Sequence, residues 1–197
     1  MKKIVFITTI LLAVIGSIAF ASAFQYYPTY ITLSPVAPPV TFDNGKNANQ
    51  PDLGPTNTIT VTLGANKTSL SITIHPTYQT AYYKNTTIII NTDTKAYNIY
   101  MRVTTPATLP AGSSATIYVY NKGATRTLTG FPTPAPSGEY IATVSLLTTG
   151  TTLIGSLSAS GVYEIDIYTV IPEGVTLPAQ TTANVLLIYT PSGETPP

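Results

Sequence analysis

His75 is the single histidine of the 197-residue chain, and cysteine is absent. Without cysteine there are no disulfides, thiolate metal sites or cysteine nucleophiles. A histidine-based triad or metal centre would need partners of other residue types. His75 precedes Pro76 at the end of an alternating stretch, which fits a structural role. Glu164 and Asp166 are two residues apart and share one face of an extended strand. Such a pair can bind calcium, or work with a distant carboxylate in glycoside hydrolysis. The chain has only eight acids, none gathered in a loop around this pair, so a solvated strand face is the favoured reading. No GxSxG elbow, phosphate-cradling glycine loop or HExxH pair occurs. The expectation is a protein that is not an enzyme, with no metal and no cofactor.

The fourteen tyrosines recur along strand-like stretches. Rows of rings can stack sugars, but tyrosine also packs its ring while its hydroxyl stays wet, and packing is favoured here. Asn66-Lys67-Thr68 and Asn85-Thr86-Thr87 fit the N-glycosylation acceptor pattern. Each precedes a predicted strand, so Asn66 and Asn85 are the expected glycan sites.

The elements that position these residues are strands. Thr, Val, Ile and Tyr favour extended backbone, and helix formers are scarce or scattered. Charged residues are 9% of the chain, against about 25% in ordinary domains. The net charge of +1 includes Lys2 and Lys3; without them seven basic residues face eight acidic ones, giving −1. No nucleic-acid partner is implied.

Residues 1–23 combine Lys2-Lys3, an apolar run from Ile4 to Phe20 and Ala21-Ser22-Ala23, the pattern of a secretory signal peptide. No second hydrophobic run of that length follows, so the processed chain is expected to be secreted, with no membrane span. Residues 24–42 form an apolar arm, FQYYPTYITLSPVAPPVTF, in which Tyr27, Ile31 and Leu33 share one extended face and Tyr26, Tyr30 and Thr32 the other. The prolines from Pro35 to Pro39 favour a stiff polyproline II spacer. At about 3.3 Å per residue the arm reaches roughly 60 Å, enough to meet a neighbouring domain. A polar linker over 43–56 follows. Residues 57–190 then alternate as about ten short strands, the signature of a single antiparallel β-sandwich, jelly-roll or immunoglobulin-like. Val185–Tyr189 is apolar on both faces, which predicts a central strand. Residues 191–197 read as an exposed tail.

An apolar arm ahead of a sandwich suits strand donation: a sheet edge lacking a partner recruits another chain, with main-chain bonds for affinity and pockets for alternate side chains. Because arm and acceptor are different surfaces, the contact propagates into a homopolymer. In the order of its parts, AFASA, the arm FQYYPTYITL, the proline spacer and the Thr/Tyr-rich body, the chain resembles archaeal surface filaments built by donor-strand complementation. These are the thread and bundling-pilus subunits, more distantly similar to TasA-like biofilm fibres. The resemblance covers the whole chain but contains no short diagnostic motif. It implies a jelly-roll-like head, a donor strand around Tyr26–Leu33, glycosylation, and roles in adhesion and biofilm cohesion at the cell surface, with surface glycans or other cells as further partners. Two alternatives stay open: a type IV pilin that retains its N-terminal hydrophobic helix, and a secreted carbohydrate-binding sandwich.

Overall fold

Period-two alternation becomes twelve strands in the computed structural model, which describes residues 3–4, 7–8, 25–130, 134–191 and 194–197. The signal-peptide stretch falls mostly outside the described residues. The chain divides into two units, residues 1–36 and 37–197. In the first, residues 25–36 carry no regular secondary structure. No helix among the described residues is long and apolar enough to cross a membrane.

The second unit is all-β and its sheets are antiparallel. Its strands are β1 (Val40–Asn44), β2 (Thr60–Leu63), β3 (Leu70–Thr73), β4 (Gln79–Asn91), β5 (Tyr97–Thr105), β6 (Ser114–Asn121), β7 (Arg126–Thr129), β8 (Ala135–Gly138), β9 (Tyr140–Ser145), β10 (Gly150–Leu157), β11 (Val162–Ile171) and β12 (Asn184–Pro191). A five-stranded sheet, β1-β4-β11-β6-β9, faces a three-stranded one, β10-β5-β12, with β2-β3 and β7-β8 as separate hairpins.

The core follows from register. Tyr163, Ile165 and Ile167 of β11 point to the inner face, and the three-stranded sheet covers the first two with Ile99, Met101 and Val103 of β5 and Ile154 and Leu157 of β10. A smaller cluster continues this face, where hairpin β2-β3 lays Val61, Leu70 and Ile72 over Ala81, Tyr83 and Ile167. Burying aliphatic side chains of this size contributes about 1.5–3 kcal/mol each.

The sequence-drawn boundary at Phe42 falls inside β1. Val40–Asn44 pairs with Asn91–Thr87 of β4, and Val40 is buried in the core. The stretch read as a linker is tied down as well. Gly45 N–H donates to Thr86 O at 3.2 Å and Asn47 N–H to Asn85 O at 3.1 Å. Position 45 needs glycine, because a Cβ there would lie 2.1 Å from Asn85 O. Asp52 accepts from both the His75 N–H (2.8 Å) and ring Nδ1 (2.9 Å), so the lone histidine fastens this loop to the end of β3.

Candidate functional site

The two larger sheets have four edge strands between them, and three are managed. At β1, the outward Phe42 N–H donates to Lys67 O at 2.9 Å, and Lys67 Nζ pairs with Asp43 at 2.8 Å. That pair holds the Asp43 carboxyl below its ordinary pKa, mainly through the Lys67 hydrogen bond. Strands β9 and β10 follow one another through residues 146–149 and lie against each other, and a bulge between Leu153 and Gly155 interrupts β10. Edges are normally blunted by such bulges, charges and covers.

The fourth edge is β12, which carries no charged side chain and whose one register shift lies at its start, between Asn184 and Val185. Val185–Tyr189 pairs with Val103–Ile99 of β5 on one side only. In an antiparallel ladder alternate residues turn their N–H and C=O groups away from the partner strand. Among the described residues no backbone group of another strand bonds to that outer side along Val185–Tyr189; at the far end the tail folds back, Glu194 N–H donating to Pro191 O at 3.3 Å and Glu194 O accepting from the Thr190 and Tyr100 hydroxyls. Val185, Leu187 and Tyr189 pack half-buried against the core, with the Tyr189 ring edge-on to Tyr97 at 5.6 Å. On the opposite face Leu186 is 51% exposed. The sequence reading of Val185–Tyr189 as a central strand is therefore corrected: it is apolar on both faces and it is an edge.

The residues read as a donor strand lie in the first unit. Tyr26, Tyr27, Tyr30, Ile31 and Leu33 are between 76% and 92% exposed, and Thr32 is exposed too. So many large apolar side chains in one short stretch form the kind of exposed patch that marks an interaction segment.

Glu164 and Asp166 do not form a solvated face. They project from β11 on the side away from the core, beside Tyr120 and Tyr118 of β6 and Tyr82 of β4. The β7-β8 hairpin covers them and brings Arg126, whose Nη2 donates to Glu164 at 2.5 Å and Nε to Asp166 at 2.7 Å. The guanidinium also lies 4.5 Å from the Tyr120 ring centroid, within cation–π range. Asp166 is fully buried, and it accepts from the Tyr82 hydroxyl and from Asn85 N–H as well. Burial alone would lower the Arg126 pKa, but the bonds and charge of Asp166, then Glu164, outweigh it and raise it. Held by Arg126, and at Asp166 by Tyr82 and Asn85 as well, the two carboxylates offer neither an open cation site nor a free general acid. The partner was missed because Arg126 lies 38 and 40 residues from them. The one available hint was that the chain has only two arginines.

The same cover removes the imagined sugar platform. Tyr118 meets Tyr140 and Tyr168 edge-to-face at 5.1 and 6.0 Å, and the Tyr168 hydroxyl donates to Pro134 O at 2.8 Å. Burial, first of all, raises the pKa of Tyr82, Tyr83, Tyr118, Tyr120 and Tyr163; Asp166 adds to it at Tyr82 and Asp52 at Tyr83. A phenol with a raised folded pKa stabilises the fold fully below its unfolded value, about 10, and that contribution is lost as pH rises through the folded value. Urea midpoints should therefore hold steady from pH 7 to 9 and fall above pH 10, by at most about 1.4 kcal/mol per pH unit for each such tyrosine.

The two sequons separate. Asn66 is exposed in the turn between β2 and β3. Asn85 is 5% exposed and sits at φ 47° in a bulge of β4, its Oδ1 accepting from Lys46 N–H. The two acceptor sites therefore differ in exposure, Asn66 open to solvent and Asn85 reached only from the side of the β4 bulge. No family model matches this chain, and no curated protein matches it in sequence.

Proposed function

We propose that the chain is a secreted, cell-surface filament subunit in which Tyr26–Leu33 of one copy adds as a strand along β12 of the next. One observation carries this reading: β12 is an uncharged open edge, apolar on both faces, on a sheet of only three strands. The strand order β4-β11-β6-β9 opposite β10-β5 supports reading the body as a jelly roll, a fold of eight strands in two sheets. An incoming arm would bring the short sheet to four strands.

The arm also has matching chemistry. Tyr26–Leu33 is as long as β12, and its alternate residues Tyr27, Ile31 and Leu33 suit the half-buried row Val185, Leu187 and Tyr189. Pro28 lacks a donor, which an added strand tolerates where the missing N–H faces away from the ladder. Assembly of this kind serves adhesion and biofilm cohesion.

The test places a charge on the open edge. Leu186→Lys alters a side chain outside the core, so its melting temperature should stay within a few degrees of the parent's, as for ordinary surface changes. In negative-stain electron microscopy and pelleting assays, the parent beginning at Phe24 should form fibres. The variant should need at least about tenfold more protein, the effect of roughly 1.4 kcal/mol per contact. A parent that stays monomeric, or a variant that polymerises at the parent's concentration, would sink the proposal.

A further inference from the structure

The bulge that buries Asn85 also shapes a cavity of about 340 Å³ on the β7-β8 side of the five-stranded sheet. Lys46 and Asn47 form one wall, Lys84 and Asn85 another, the turn at 123–124 a third, and the Arg126–Glu164 pair the floor. The walls are fixed by main-chain contacts: Lys46 N–H donates to Asn85 Oδ1 at 3.3 Å, Asn47 Nδ2 to Lys84 O at 2.6 Å, and Gly123 N–H to Glu164 Oε1 at 3.3 Å.

The donors left over point to a ligand. Lys46 and Lys84 are exposed at the rim, and among the described residues no carboxylate pairs with either of them. Asn85 is nineteen-twentieths buried, and among the described residues nothing accepts from its Nδ2 hydrogens although the residue lines the cavity. Among the described residues the buried polar side-chain atoms without a partner are the Tyr83 hydroxyl and Ser113 Oγ, so the Asn85 amide donor is one that opens on the cavity. The floor offers acceptors instead, since a carboxylate has about four lone-pair sites and Glu164 Oε1 receives only the long Gly123 bond. Lysines at the rim with an amide donor match a ligand carboxylate, and Glu164 with Asn47 Oδ1 match hydroxyl groups. The volume is at the small end of the range for ligand pockets, about 300–1,000 Å³.

We propose that this cavity binds an acidic sugar unit, a hexuronate, with its carboxylate at Lys46 and Lys84 and its hydroxyls toward Asn47 and Glu164. The proposal stands apart from the assembly reading and concerns a different face of the sandwich. In a filament it would fasten the fibre to acidic polysaccharide.

The test is saturation-transfer NMR and calorimetry on the full secreted chain with methyl glucuronide, methyl glucoside, acetate and sulfate as separate probes. Methyl glucuronide should bind in the millimolar range and weaken as salt is raised. The glucoside, acetate and sulfate should each bind at least about tenfold more weakly, and Lys46→Ala/Lys84→Ala should weaken the glucuronide by a similar factor. Melting temperature and fibre formation of that variant should match the parent's. No glucuronide binding, glucoside binding as tight as glucuronide, acetate or sulfate binding as tight as glucuronide, or an unaffected double variant would each overturn the proposal.

Discussion

A chain beginning at Ala37 should remain a monomer at concentrations where one beginning at Phe24 grows fibres. The cut belongs there because Val40 and Phe42 are part of β1 and its pairing with β4, so a deletion reaching Asp43 would damage the body and confuse the result. The arm's apolar anchors, Tyr27, Tyr30, Ile31 and Leu33, would each contribute about 1.5–3 kcal/mol on burial, and association offsets part of that with a cost of about 4–15 kcal/mol. Even half of the gross term is worth more than about a hundredfold in critical concentration. Synthetic Phe24–Pro39 peptide should raise the melting temperature of the shortened chain in a concentration-dependent way, since a ligand that binds only the folded state stabilises it by mass action. The same peptide should stop growth of the longer chain. Equal polymerisation of both chains would eliminate the arm as donor. The first residue of the natural product, read by Edman sequencing, distinguishes a processed arm beginning at Phe24 from a retained hydrophobic helix.

Arg126→Ala should destabilise the fold by about 3–5 kcal/mol, the range for removing one partner of a buried ion pair and leaving the opposite charge uncompensated. For a domain of this size that is a fall in melting temperature of roughly 6–20 °C. Arg126→Met with Glu164→Gln and Asp166→Asn should lose less than Arg126→Ala alone, because replacing all three members of the buried cluster leaves no orphaned charge. A change under about 1 kcal/mol, the usual value for exposed pairs, would show that water reaches the cluster.

Several parts of this architecture were legible in the residues. Alternation picked out β2, β3, β5 and β6, which turn an apolar row to the core, and β11, where Tyr163, Ile165 and Ile167 do so although the other side is buried too. It failed at β4, where the bulge at Asn85 sets Tyr83 and Thr87 opposite Ile167 and Ile165 and so inserts two extra residues, interrupting the period between two stretches that face the core with the same parity. It also failed at β7 and β8, a hairpin of four-residue strands with Pro136 inside the second. Strand β1 was obscured by the adjoining prolines. The burial of Glu164 and Asp166 depended on Arg126, brought over by a hairpin that no local pattern joins to β11. Val185–Tyr189 was misjudged for a more instructive reason: an apolar pattern on both faces marks a strand that needs neighbours, without saying whether its own chain supplies them.

The contrast between a guarded β1 and a bare β12 bears on how a fibre would begin and end. Every internal copy has its edge filled, but the copy at one terminus presents β12 to water, and the copy at the other trails an unused arm. Such a polymer is directional, with unlike tips. The tip with the bare edge is the stickier one, so a cell making this fibre gains by sealing that tip at its envelope, where anchorage and protection from stray aggregation become a single event.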